Sequence, residues 1–174
     1  NKGTWKYAHN ALGELVSQTT AKNHVTTTYR DQRGRTRFKE TKSGSTVLES
    51  IDFHYEGHRL DYQTNSEHTK SFNYDRFGRV NTVQTLMGDT TYTQQTTYDA
   101  YGRVFQQFDA DANSLMGCFN SQNSVVGACF GVQNEYNSYG YLAIQREARY
   151  GSNGRIYQQI TEMDVFGNVT RFEQ

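Results

Sequence analysis

The sequence predicts an all-β protein, an antiparallel meander of repeated β-hairpins forming a curved or spiralling sheet. Three observations predict it. A short corner of the form Asp-x-x-Gly recurs along the 174 residues, the segments between corners alternate with period two, and strand-favouring side chains abound, with 20 Thr and 13 Tyr. No proline is present to interrupt a backbone ladder.

The corners come first. "YDRFGRV" at Tyr74, "YDAYGRV" at Tyr98, "YNSYGYL" at Tyr136 and "MDVFGNV" at Met163 are copies of one pattern. "HNALGEL" at His9, "RDQRGRT" at Arg30 and "YGSNGRI" at Tyr150 are weaker copies, and "FHYEGHR" at Phe53 keeps the spacing. In each corner the side chain of Asp75, Asp99, Asn137 or Asp164 can accept backbone N–H bonds at the first position of a type I turn. Gly78, Gly102, Gly140 or Gly167 then supplies the positive φ that completes the reversal. The residue before the glycine (Leu12, Phe77, Tyr101, Tyr139 or Phe166) is expected to pack over the turn, and the aliphatic residue two after it restarts a strand.

The strands follow. Anchoring glycines fall 21 to 24 residues apart from Gly13 to Gly102, then 38, 14 and 13 apart. Between the early copies stand second turn signals, "AKNH", "KSGST", "NSEH" and "MGDT", so each long period reads as two strands and two turns. Alternating sets such as Ile51, Phe53 and Tyr55 place one face of a strand toward packing and the other toward water. About fourteen short strands result. Residues 109–134 break the period and gather glycine and small residues around Cys118 and Cys129. We read 1–108 and 135–174 as hairpin arrays of one domain, with 109–134 as an insertion or capping loop. Cys118 and Cys129 are candidates for a disulfide; their spacing permits a bridge without showing one.

Composition bounds the function. Basic and acidic residues balance at 18 each, and Leu, Ile, Val and Phe total 32, so a thick aliphatic core is excluded while 24 aromatics supply the burial. The apolar stretch from Ser124 is far shorter than the roughly 18–20 residues of a membrane span. No targeting signal opens the chain, which reads as a piece of a longer polypeptide. Neutral charge and the lack of a recognisable module argue against nucleic-acid binding.

These corners resemble the RHS or YD-repeat family, whose signature is Tyr-Asp-x-x-Gly-Arg followed by an aliphatic residue; "YDRFGRV" and "YDAYGRV" match it fully. The family includes bacterial polymorphic toxin shells, Tc toxin B and C components and teneurins. The resemblance implies a secreted or cell-surface location and a β-sheet shell that encloses a C-terminal toxic segment. The remaining repeats of the parent protein, or a second copy, would adjoin the sheet edges. Toxin shells of the family end in a proline-containing Asp-Pro-x-Gly motif where an aspartate-dependent self-cleavage occurs. Without proline, no aspartate here takes that role.

Other constellations have plainer readings. Arg33, Arg35, Arg37 and Lys39 alternate, and in a strand they would project four cations from one face, a candidate polyanion-binding stripe for surface glycan. An ordinary solvated face is the plainer reading. "DADANS" from Asp109 begins like a calcium loop but has Ser114 where glycine is needed and Asn120 where glutamate is needed. His54 and His58 need not converge in a strand and turn. No nucleophile elbow, zinc helix or phosphate loop occurs, so no catalytic residue, metal or cofactor is assigned. The sequence therefore points to a non-enzymatic structural module, a wall segment around a toxin or other cargo. The alternative is an extracellular carbohydrate- or protein-binding module. Repeated Tyr and Phe also permit sugar stacking, and an exposed line of them would favour it.

Overall fold

The computed structural model describes residues 3–111, 130–148 and 154–174. Fourteen strands lie among them: β1 Lys6–His9, β2 Leu15–Thr19, β3 His24–Arg30, β4 Thr36–Ser43, β5 Thr46–Glu56, β6 Arg59–Thr64 and β7 His68–Tyr74. The remainder are β8 Val80–Met87, β9 Thr90–Tyr98, β10 Val104–Asp111, β11 Gly131–Tyr136, β12 Leu142–Glu147, β13 Ile156–Met163 and β14 Val169–Glu173. They follow one another in sequence order across one open sheet. The paired strands are antiparallel, as the meander requires. The corners sit where β1–β2, β3–β4, β7–β8, β9–β10, β11–β12 and β13–β14 join, at every second turn of the meander.

The chain divides into two compact units. One holds Asn1–Phe72 with Leu86–Gly88, the other Asn73–Thr85 with Asp89–Gln174. In the first, neighbouring strands are tied by directly opposed side chains. Thr26 and Thr41 are register partners with hydroxyls 2.9 Å apart. Tyr29 tilts against Phe38 at 5.6 Å, and His54 stacks on its partner Tyr62 at 4.2 Å. Each such cross-strand pair contributes roughly 0.2–1 kcal/mol. Because the sheet has no helix or second sheet over it among the described residues, these pairs take the place of a deep core.

The second unit holds the most deeply buried side chains of the described residues. Phe108, on β10, is 2% exposed, and Thr93 on β9, Gln133 and Asn134 on β11, and Ala148 just after β12 are also buried. Gly131 faces Phe108 in register, and a Cβ there would meet both the Phe108 ring and the Gln107 carbonyl. The buried amides bond within the sheet: Asn134 Nδ2 donates to the Val104 carbonyl, and Gln145 Nε2 donates to Asn134 Oδ1. Asp109–Asp111 belong to β10 and residues 131–134 to β11. Cys118 and Cys129, the Ala112-to-Ser114 remainder of the calcium-like stretch, and Tyr150 to Asn153 lie outside the described residues.

Candidate functional site

The recurring corner is the site the sequence singles out, and six of its copies share one geometry; the copy at Phe53 instead closes a two-residue turn between Glu56 and Arg59, with Gly57 at φ 58°. At Asp99 the Gly102 N–H donates to the Asp99 carbonyl at 3.0 Å, and the Asp99 N–H donates to the Arg103 carbonyl at 2.9 Å. One carboxylate oxygen, Oδ1, accepts the Tyr101 and Arg103 N–H groups, each at 2.9 Å. Asp75 repeats this with Phe77 and Arg79, Asn137 with Tyr139 and Tyr141, Asp164 with Phe166 and Asn168, Asp31 with Arg33 and Arg35, and Asn10 with Leu12 and Glu14. The closing glycines have φ between 78° and 87°. This is a type I turn completed by a bulged glycine, the three-residue hairpin that strand twist favours. At Gly102 only glycine adopts that φ without strain.

The second carboxylate oxygen does different work. Asp75 Oδ2 and Asp99 Oδ2 each accept Nε of the arginine four residues on, Arg79 and Arg103, at 2.7 Å. That guanidinium then lies over a tyrosine of the next corner: Arg79 over Tyr98 at 4.1 Å and Arg103 over Tyr136 at 4.1 Å. The same tyrosines donate their hydroxyls to the carbonyl just after the arginine, Tyr98 to Val80 and Tyr136 to Val104, both at 2.7 Å. In the first unit Asp31, Arg35 and Tyr55 repeat the arrangement, with Tyr55 donating to Thr36. The corners at Asp31, Asp75 and Asp99 are thus each tied to the tyrosine about twenty-four or more residues on in the chain through Asp, Arg and Tyr.

Glycine has a second reason in these corners. An added Cβ at Gly102 would stand 3.1 Å from Arg79 Nη1, and one at Gly140 would stand 3.5 Å from Arg103 Nη1. At Gly167 it would collide with the ring of Tyr141, the residue in the arginine position of the preceding corner. The side chain after one glycine therefore lies against the next.

The carboxylates are held ionised. For Asp75 and Asp99, partial burial opposes ionisation, but the backbone N–H and guanidinium of the following arginine outweigh it, and both sit below the ordinary aspartate range. Asp31 is lowered chiefly by the Arg35 side chain, and Asp164 chiefly by the Asn168 side-chain amide.

The four candidate cations do not share one strand face. Arg33 sits in the corner itself and Arg35 follows it, both directed at the Gly57 carbonyl, at 3.4 and 2.7 Å. Arg35 is further committed to Asp31 at 2.6 Å and to the Tyr55 ring. Arg37 and Lys39 alone alternate as exposed residues of β4. The residues before the glycines do not pack over their turns either. Phe77, Tyr101, Tyr139 and Phe166 are 67%, 84%, 85% and 81% exposed, because the third position of the turn is the tip; at Phe77 and Tyr101 the guanidinium groups of Arg79 and Arg103 lie 5.0 and 4.9 Å from the ring centres.

What sequence reading missed is the Arg–Tyr fastening. Its signal was present in the repeat itself, since Arg and Tyr flank Asp-x-x-Gly in the fullest copies. Their partnership crosses between copies, so it becomes visible only with the strand register.

No protein-family model and no curated protein matches the sequence. Solved structures do. The crystal structure of TcdB2-TccC3-Cdc42 superposes with a TM-score of 0.53 at 15% identity, over 92% of this chain and 10% of that one. TcdB2-TccC3 without its hypervariable C-terminal region gives 0.52, again at 15% identity with 92% and 10% covered. The Photorhabdus luminescens Tc holotoxin pore gives 0.50 at 12% identity, over 91% and 10%. The chain spans about a tenth of the length of the chains it matches. It has the β-sheet fold found in these TcdB2–TccC3 Tc toxin structures, in agreement with the YD-repeat resemblance that its corners carry.

Proposed function

We propose that this chain is a non-enzymatic wall segment of an RHS/YD-repeat shell, secreted or surface-displayed, that encloses or displays a toxin or other C-terminal cargo. One observation carries the reading: the strands form a single sheet, in sequence order, whose outermost strands β1 and β14 each pair on one side only. Every residue of both strands is exposed. A row of unpaired backbone groups is a template for a further strand, and a wall is continued by further repeats. The likeness in fold to a stretch of the TcdB2–TccC3 chains supports the same reading. The corner carboxylates are engaged in turn N–H bonds and in partners, which suits a fastening better than a catalytic role.

Hydrogen exchange at several concentrations tests it. The outward amides of β1 and β14 exchange fast in dilute protein and gain protection as copies, or added flanking repeats, pair with them. Edges that are protected in a dilute monomer would count against the wall.

A further inference from the structure

We infer that the recess between the Asn137 and Asp164 corners binds a guanidinium group supplied from outside the chain, on an arginine of a peptide or on a small free compound. The inference is independent of the wall reading. It rests on an internal comparison, a cavity and the charge of its lining.

Three junctions within the sheet show what such a place holds. Against Tyr55, Tyr98 and Tyr136 a guanidinium stacks at 4.2, 4.1 and 4.1 Å, and its Nε donates to an aspartate at 2.8, 2.7 and 2.7 Å. The chain supplies that cation itself, from Arg35, Arg79 and Arg103. At the following junction all three members change: the aspartate is Asn137, the arginine is Tyr141 and the tyrosine is Met163. Tyr141 lies against Gly167 as Arg103 lies near Gly140, but it brings no charge.

Where the cation is missing, the surface opens. A recess of about 680 Å³ lies there, lined by Tyr139, Tyr141, Ile160, Glu162, Met163 and Asp164 among others. Ligand clefts commonly measure roughly 300–1,000 Å³. Its walls combine aromatic rings with carboxylates, the two partners that the filled junctions give to a guanidinium. None of the residues lining it is Lys, Arg or His. Tyr139 is 85% and Tyr141 44% exposed, so a ligand can reach both rings.

The carboxylates have capacity to spare. Asp164 Oδ1 accepts the Phe166 and Asn168 N–H groups, while Oδ2 accepts the Asn168 amide at 2.8 Å and keeps a second lone pair. Glu162 meets Arg171 at 3.7 Å with both side chains more than half exposed, a loose surface pair that an incoming cation can displace. Guanidinium suits this lining better than ammonium, because its plane stacks on a ring while its edge donates to a carboxylate.

Titration of the 174-residue chain with an acetylated and amidated Gly-Arg-Gly peptide and with agmatine, followed by calorimetry and amide shifts, tests the proposal. Binding is expected, with shifts confined to residues 137–143 and 160–167. Tighter binding of the peptide would assign the site to the arginine of a protein partner, and tighter binding of agmatine to a free guanidinium compound. The lysine peptide is expected to bind about threefold more weakly, and the citrulline peptide, of the same shape but uncharged, not at all. Tyr139→Ala and Glu162→Gln each weaken binding about threefold to fivefold, whereas Arg171→Ala, which frees Glu162, strengthens it about twofold. Tyr7→Ala, which removes an exposed ring on β1 in the other unit, leaves it unchanged. Melting temperatures near that of the parent protein show that these exposed-residue variants still fold. Absence of binding to both probes, equal binding of the lysine or citrulline peptide, or affinity untouched by both Tyr139→Ala and Glu162→Gln would each overturn it.

Discussion

The corners at Asp75 and Asp99 and those at Asn137 and Asp164 have the same backbone and different fastenings. All four close with a Gly N–H on the first residue's carbonyl, and all four use Oδ1 to accept two N–H groups. Only the first pair carries an arginine that bonds the carboxylate and reaches the next corner's tyrosine. At Asn137 the arginine position holds Tyr141, whose ring lies on Gly167, and at Asp164 it holds Asn168, which bonds Asp164 Oδ2 at 2.8 Å. Reversal of the chain and linkage between hairpins are therefore separate layers. The first is set by an Asx side chain plus glycine, and the second by whatever occupies the following position.

Glycine substitutions break that comparison hardest. Gly102→Ala should cost about 1–2 kcal/mol from the left-handed φ alone. Gly167→Ala adds displacement of the Tyr141 ring and should cost about 3 kcal/mol. Urea midpoints for the two variants measure the difference, and equal costs would show that Tyr141 moves aside freely. Next, Asp99→Ala removes both layers and Asn137→Ala only the first, so the Asp99 variant should show the larger fall in melting temperature.

Acid should separate the layers without mutation. The corner aspartates titrate below their ordinary value of about 3.9 in the folded chain, so the stabilisation they contribute is complete above that value. It is lost as pH falls through their lowered folded values, since the unfolded chain then binds protons first. Thermal melts between neutrality and pH 2 should be flat down to about 4 and then decline, and the decline should be shallower in Asp99→Asn. Tyr98→Phe keeps the ring under Arg79 and removes only the hydroxyl bond to Val80, for about 1 kcal/mol. The smallest effect is a gain: Asn168→Arg installs the missing cation opposite Asp164, and the melting temperature should rise slightly.

Much of this fold was legible in the sequence because its information is local. Asp75 and Gly78 lie three positions apart and specify a turn whatever surrounds them, and copies of that turn with alternating segments between them imply strands paired with their sequence neighbours. The fourteen strands among the described residues agree with the number read from the turn signals. The site was less legible. Arg79 and Tyr98 belong to different copies, and nothing in either one names the other until β8 and β9 stand side by side. The expected packing of Phe77 and Tyr101 over their turns failed for a related reason: the third turn residue stands at the tip, and the guanidinium four residues on from Asp occupies the space beside it. The stripe from Arg33 to Lys39 dissolved because Arg33 lies within the corner rather than in β4.

The contact between each post-glycine side chain and the next glycine bears on how such a chain tolerates insertion. From Gly78 to Gly102 the polypeptide travels 24 residues, and from Gly102 to Gly140 it travels 38, yet Arg103 meets Gly140 and Tyr136 much as Arg79 meets Gly102 and Tyr98. Alignment is kept by touch at one margin and not by counting residues, which leaves the opposite margin free to accept new sequence of any length while the seam stays true.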